Sequence, residues 1–124
     1  MRAADEHLVE QCARGFRARR RLERERADER VADLRRRATD VACRLARELG
    51  VRRVWLFGSL AWGGAAADSD VDLLVEGLPA AAWSRAHAIA EEVLGAPVDL
   101  VRREEAPSGL VDRVEAEGRL LHER

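Results

Sequence analysis

The sequence predicts one α/β (α+β) domain, in which helices pack on a small mixed β-sheet and an extra helix precedes them. Residues 4–49 are rich in Ala, Arg, Glu and Leu and contain no proline, which favours helix throughout. Residues 51–124 instead alternate short β-rich segments with helix-like segments. The link at 58–69 is too short for a crossover helix, so we expect its two flanking strands to be antiparallel and the sheet to be mixed.

The N-terminal helix-forming segment divides into two parts. Apolar residues in its second half recur at steps of three and four, as in a helix docked on a core: Val31, Leu34, Ala38, Val41, Leu45 and Leu49. Gly50 is expected to end this helix. The first half has a weaker stripe in a different phase: Leu8, Cys12 and Phe16. We therefore predict a helical extension over 1–30, packed on a partner or in solvent, and a domain over 31–124.

Four later segments predict strands, and two predict helices. The strand segments are rich in β-branched and other apolar residues and lie at 51–57, 70–76, 97–101 and 120–122, the last as a short edge strand. Helices are expected from Pro79 to Gly95 and from Pro107 to Gly118. We expect Trp55 and Trp83 to be core residues.

Composition and charge narrow the function classes. No apolar run is long enough to cross a membrane, and no secretory signal pattern is visible. Cys12 and Cys43 lack metal-ligand spacing and are interpreted as reduced thiols, so we expect a cytoplasmic protein. The formal net charge is −1. The chain contains no lysine, so its basic residues are all arginines. The number of arginines alone does not indicate nucleic-acid binding, and we do not expect direct binding of nucleic acid.

Two aspartates at the start of a predicted strand carry the main chemical signal. Side chains alternate along a strand, so Asp70 and Asp72 share one face while Val71 and Leu73 point into the core. Two neighbouring carboxylates can hold one or two hard divalent cations such as Mg²⁺, together with substrate phosphates. Asp68 precedes the strand and is interpreted as a turn or cap residue.

Further residues complete a candidate phosphoryl-transfer site. Asp99, centred in the third strand segment, could supply a third carboxylate from a neighbouring strand. Gly58 and Ser59 follow the first strand, where backbone N–H groups and the serine hydroxyl can approach a phosphate. Each feature alone is common, but their order and spacing together favour a metal-dependent site.

This arrangement resembles the signature of the DNA polymerase β-like nucleotidyltransferase superfamily: Gly58-Ser59, ten residues, then Asp70-x-Asp72. It is most similar to the minimal nucleotidyltransferases (MNT), many of which are antitoxins of HEPN ribonuclease toxins. The resemblance covers roughly 31–124 and implies the nucleotidyltransferase fold.

The resemblance also implies an activity. It is the Mg²⁺-dependent transfer of a nucleoside monophosphate, usually AMP from ATP, to an acceptor hydroxyl. Asp70 and Asp72 would bind two Mg²⁺ ions, Asp99 would be a third ligand and a base toward the acceptor, and Gly58 and Ser59 would hold the triphosphate. In the antitoxins the acceptor is a tyrosine of the HEPN toxin, so a HEPN toxin is the partner that the resemblance implies.

One departure from the family pattern leaves alternatives open. Members often carry basic residues shortly after the Gly-Ser pair, whereas this chain has Leu60 and Trp62 there and no cation over 60–69. A second hypothesis is therefore an antitoxin that neutralises its toxin by contact through residues 1–30, without catalysis. A third is nucleotidyl transfer to a small molecule such as an aminoglycoside. Trp62 either caps the core or stacks on the base of the nucleotide.

Overall fold

The computed structural model describes residues 3–65 and 68–124, with side chains from residue 8 onward. Positions 1–2 of the predicted extension and 66–67 of the predicted link lie outside the described residues. The elements, in chain order, are α1 (Ala3–Leu49), β1 (Arg53–Phe57), α2 (Ser59–Trp62), β2 (Val71–Glu76), α3 (Trp83–Leu94), β3 (Val98–Arg102), α4 (Ser108–Glu117) and β4 (Arg119–Glu123). Short 3₁₀ turns at Ala80–Ala82 and Arg103–Glu105 precede α3 and α4.

The four strands form one mixed sheet in the order β3-β2-β1-β4. The central strand β1 is antiparallel to β2 and to β4, whereas β2 and β3 are parallel. The predicted antiparallel pairing across the short link is therefore confirmed, as is the edge strand near the C-terminus. The parallel pair is joined through α3, which provides the crossover that such a pair needs.

Helix α1 is 47 residues long, which corresponds to about 70 Å at the usual rise per residue. It ends before Gly50, as the sequence predicts. Its predicted apolar stripe faces the sheet, and five of the six members are buried: Val31, Leu34, Ala38, Val41 and Leu45. Leu49 is partly buried at the edge of the same core.

The larger core lies between one sheet face and the helices α1 and α3. The sheet contributes alternate residues of its strands, all buried: Val54, Leu56, Val71, Leu73, Val75 and Leu100. In α3 four residues are buried, Ala86, Ile89, Ala90 and Leu94, while Val93 and Ala82 of the preceding 3₁₀ turn are only partly buried. This apolar contact holds the start of β2 in a fixed position.

The opposite sheet face has a second, smaller core under α4. It consists of four buried residues: Trp55, Phe57, Leu74 and Val114. The prediction of a core position is confirmed for Trp55 and is wrong for Trp83, which is 36% exposed. The Trp83 indole N–H donates to the Leu100 carbonyl and its ring stacks on His87, so a polar partner and a ring contact hold it at the surface.

Among the helices within the described residues, none combines the length and the apolar character needed to cross a membrane.

Candidate active site

Asp72 and Asp99 stand side by side in the sheet. They are paired in the parallel register of β2 and β3, in which Leu73 also pairs with Leu100. Side chains of paired residues share a face, so both carboxylates project from the α4 side of the sheet, away from the larger core. The structure thus brings together two of the predicted site residues from separate strands.

Asp70 lies immediately before β2, which begins at Val71. Its side chain is exposed, as is that of Asp99, whereas Asp72 is partly buried. Asp68 is exposed in a turn, in agreement with the interpretation that it is a turn residue. The three carboxylates of Asp70, Asp72 and Asp99 therefore line one end of the α4 face, with Asp72 at the inner position.

The electrostatics of this cluster are unfavourable without a positive charge. Burial, followed by the charges of Asp99 and Asp70, raises the pKa of Asp72 from 3.8 to about 6. The described residues form many ion pairs, yet none of them neutralises any of these three aspartates. Asp72 is therefore a partly buried carboxylate beside two other negative charges, and a bound cation would stabilise its ionised form.

Gly58 packs directly against Asp72. Its φ of 74° lies in the left-handed region that favours glycine, and a Cβ added there would lie 2.1 Å from Oδ2 of Asp72. Phe57, the residue before it, pairs with Asp72 across the antiparallel ladder. Only a residue without a side chain can occupy position 58 and leave the Asp72 carboxylate in place.

The turn after Gly58 continues as the short helix α2. The Gly58 carbonyl accepts hydrogen bonds from the amides of Ala61 and Trp62, so the chain curls back immediately after the glycine. Ser59, the first residue of this helix, is partly buried. Leu60 is fully buried and anchors the turn in the larger core. These contacts place the Gly-Ser pair beside the carboxylate cluster.

Two arginines from distant parts of the chain contact this turn. The Nε of Arg35, on α1, donates a 2.7 Å hydrogen bond to the carbonyl of Leu60. The guanidinium carbon of Arg113, on α4, lies 4.1 Å from the centre of the Trp62 ring. Arginines from α1 and α4 therefore lie beside the turn after Gly58, which has no basic residue over 60–69.

Trp62 caps the smaller core, as one of its two predicted roles requires. Its ring lies 6.2 Å from that of Phe57 at an interplanar angle of 45°, and it is partly buried against the cluster beneath α4. The Arg113 guanidinium lies over the ring as well. The sequence reveals neither this arginine nor Arg35, because no local spacing connects α4 or α1 with the turn.

The donor chemistry of the cluster fits Mg²⁺. Within residues 3–65 and 68–124, no three His, Cys, Asp or Glu side chains already converge closely enough to hold a metal ion alone. Mg²⁺ commonly uses only one or two protein carboxylates and completes its shell with water and substrate phosphates. Asp72 together with Asp70 or Asp99 supplies such a pair of carboxylates.

Comparisons with known proteins identify the family of the domain. A family model described as polymerase beta, nucleotidyltransferase matches residues 41–124, which include all four strands, the Gly58 turn and the three aspartates. The matched region begins inside α1, so the first 40 residues lie outside it. No curated protein sequence matches this chain significantly.

Solved structures share the fold. A protein described as a minimal nucleotidyltransferase is 36% identical, with a TM-score of 0.61 over 71% of this chain and 92% of that one. A toxin–antitoxin structure with AMP-PNP is 25% identical, with a TM-score of 0.60 over 69% and 73%. A complex of a tri-AMPylated Shewanella oneidensis HEPN toxin with an MNT antitoxin is 23% identical, with a TM-score of 0.54 over 70% and 71%, and indicates the fold alone.

Proposed function

Because the chain belongs to the polymerase beta nucleotidyltransferase family, we propose that it transfers AMP from ATP to a hydroxyl of a partner protein, in a reaction that needs Mg²⁺. The single observation that carries this proposal is the pairing of Asp72 with Asp99 beside a glycine that packs on the Asp72 carboxylate. We place the reaction in the cytoplasm, since Cys12 and Cys43 are free thiols.

The carboxylates have separate roles in this proposal. Asp70 and Asp72 would hold Mg²⁺, and Asp99 would be the third ligand and would accept the proton of the attacking hydroxyl. The hydroxyl oxygen forms a bond to the α-phosphorus of ATP while the bond to the β-phosphate breaks, and pyrophosphate leaves. Bound Mg²⁺ supplies charge that stabilises the attacking and leaving oxygens of a phosphoryl displacement. Asp99 suits the role of base because it is exposed, on an edge strand, where an acceptor side chain can reach it.

The turn positions the triphosphate. Gly58 allows the phosphates to approach the backbone next to Asp72, and the Ser59 hydroxyl donates to a phosphate oxygen. Arg113, held over Trp62, supplies the cation that the turn itself lacks. Arg35 acts indirectly, since its hydrogen bond to the Leu60 carbonyl fixes the turn. These contacts favour a catalytic role over an antitoxin that acts by binding alone.

The partner in this proposal is a HEPN-domain toxin, which is inactivated when its hydroxyl is modified. Support comes from the toxin–antitoxin structure with AMP-PNP, which is related to this chain over 69% of its length. We also propose the division of the chain into an extension over 1–30 and a catalytic domain over 31–124. From residue 8 onward, the first buried residue of α1 is Val31, which supports that boundary.

Incubation with labelled ATP, Mg²⁺ and the protein encoded by the adjacent gene tests the proposal. We expect label on a hydroxyl of that protein, and we expect transfer to fall at least about a hundredfold in Asp72→Asn, because the charge that holds the metal is lost. Asp68→Asn is the matched control, since Asp68 is exposed in a turn just outside the cluster. Equal transfer by both variants, or no transfer by the unmodified chain, would contradict the proposal.

A further inference from the structure

The first half of α1 presents an apolar stripe that the domain does not cover. We call residues 3–26 of this helix the arm. From residue 8 to 26 none is buried, and four large apolar side chains are exposed by 45% to 61%: Leu8, Val9, Phe16 and Leu22. Exposed apolar residues that share one helix face indicate an interaction surface. The family model does not include this part of the chain.

Two residues of the stripe, Leu8 and Phe16, are placed symmetrically about Cys12. Leu8 lies four residues before Cys12 and Phe16 lies four residues after it, so the three side chains fall within about 80° of the helix circumference. Leu22 lies about 40° from Leu8 around the helix, in the direction away from Cys12. A helix with such a pattern presents the same apolar face to a copy of itself that runs in the opposite direction.

The distribution of acidic residues and arginines along the arm also favours antiparallel pairing. Residues 3–10 include three acidic residues and no arginine, whereas residues 14–24 include six arginines and one glutamate. Two parallel arms would place the arginine-rich segments together, and that arrangement is repulsive. Two antiparallel arms place each arginine-rich segment beside the acidic segment of the other chain.

We propose that the arm pairs with the arm of a second copy of this chain, in an antiparallel two-helix contact centred on Cys12. In this contact Leu8 packs on Phe16 of the partner subunit, and the reciprocal pair forms by symmetry. Cys12 lies opposite Cys12 of the partner subunit. The contact is an interface between two nucleotidyltransferase chains and does not depend on the acceptor that they modify.

The length of the arm leaves room for two domains. When the pairing is centred on Cys12, residue 3 of one chain lies opposite residue 21 of the other. Val31, the first buried residue of the domain, follows ten residues later, which is about 15 Å along the helix. The two domains therefore lie at opposite ends of the helix pair and do not collide.

Two cysteines on one helix offer a matched pair for the first test. Cys12 and Cys43 are both exposed thiols of α1, but only Cys12 lies on the proposed interface. Mild oxidation of the full chain at low concentration should give a disulfide-linked dimer. Cys43→Ser should retain this dimer and Cys12→Ser should lose it. The opposite result would overturn the proposal.

A second test determines whether the two arms run antiparallel or parallel. It uses chains in which both native cysteines are replaced. A mixture of Leu8→Cys and Phe16→Cys chains should crosslink mainly between unlike chains, because antiparallel pairing brings these positions together. Crosslinking of each variant mainly to itself would indicate a parallel contact and overturn the proposal.

The third test measures the molecular mass of the chain in solution and so decides whether it forms a dimer. Sedimentation of the full chain should show a monomer–dimer equilibrium, and the double variant Leu8→Asp, Phe16→Asp should be monomeric with unchanged helix content by circular dichroism. A monomer at every concentration, or an arm that binds only the toxin or only nucleic acid, would overturn self-pairing. Nucleotidyl transfer is measured separately, so failure of the dimer and failure of the activity are distinguishable.

Discussion

The guanidinium carbon of Arg113 lies 4.1 Å from the centre of the Trp62 ring, which joins the middle of α4 to the turn that follows Gly58. This contact places a positive charge beside a turn that carries none over 60–69. A guanidinium over an indole is stabilised by the ring quadrupole. The Nε of Arg113 donates a 3.0 Å hydrogen bond to Glu117, so the terminal N–H groups of the guanidinium are the donors proposed to contact a phosphate.

Arg113→Gln should therefore weaken ATP binding. We expect KM for ATP to rise about tenfold, equivalent to about 1.4 kcal/mol, with a smaller change in kcat. Arg113→Lys should restore part of the effect, because it keeps the charge but loses the planar stacking. Arg85→Gln is the control, since Arg85 is an exposed arginine on α3, which packs on the other face of the sheet. An unchanged KM in Arg113→Gln would remove this residue from the site.

Gly58→Ala should abolish nucleotidyl transfer and lower stability. The new methyl group would lie 2.1 Å from Oδ2 of Asp72, and the backbone would be held at a φ of 74°. Together these effects should cost about 2 kcal/mol of unfolding free energy, as well as displace the carboxylate. Thermal unfolding and the transfer assay measure the two effects.

Gly64→Ala separates backbone strain from the clash. Gly64 has a φ of 81°, but nothing lies within 4 Å of the added Cβ. We expect this variant to lose some stability and to retain most of its transfer activity. Equal loss of activity in both variants would show that the Gly58 contact with Asp72 has no special role.

Asp72→Asn should inactivate the protein and stabilise it in the absence of metal. Burial and the neighbouring aspartates raise the Asp72 pKa from 3.8 to about 6, so the folded state holds a proton that the unfolded state releases. The stability associated with this proton is fully present below about pH 4 and is lost as the pH rises through 6. Above that pH, the variant should gain about 1 kcal/mol after allowance for solvent screening.

Denaturant unfolding with a chelator present, from pH 4 to pH 8, measures this difference. The gain should vanish near pH 4 and shrink when Mg²⁺ and ATP are added to the unmodified chain, because they stabilise the ionised carboxylate. A constant gain at every pH would show that the charge of Asp72 is not its cause.

The local pattern of the sequence predicted most of the architecture. The stripe from Val31 to Leu45, the succession of strand and helix segments along the chain and the short link after Gly58 predict it, because each depends on spacing between near neighbours. The order of the strands within the sheet is not predicted in this way. Alternation along a strand predicts a shared face for Asp70 and Asp72 in the same way, and the parallel register of β2 and β3 places Asp99 beside Asp72.

Long-range contacts of polar groups could not be predicted in this way. Arg35 and Arg113 reach the turn from α1 and α4, and nothing near them in sequence indicates their targets. Trp83 was wrongly assigned to the core because hydrophobic character alone does not indicate that an indole N–H will find the Leu100 carbonyl at the surface.

Glu76→Gln should destabilise the domain and leave nucleotidyl transfer intact, because Glu76 lies at the end of β2 remote from Asp70. Glu76 as a whole residue is 9% exposed, and its carboxylate accepts hydrogen bonds of 2.7 and 3.1 Å from Arg53, which hold its pKa below the usual 4.5. This stability is present above pH 4.5 and is lost as the pH falls through the lowered pKa, so the variant should lose about 1 kcal/mol or more at pH 7 and progressively less in acid. Glu92→Gln, in an exposed pair with Arg44, should change neither property. If Glu76→Gln instead reduced transfer without reducing stability, the two ends of β2 would not have the separate roles inferred for them.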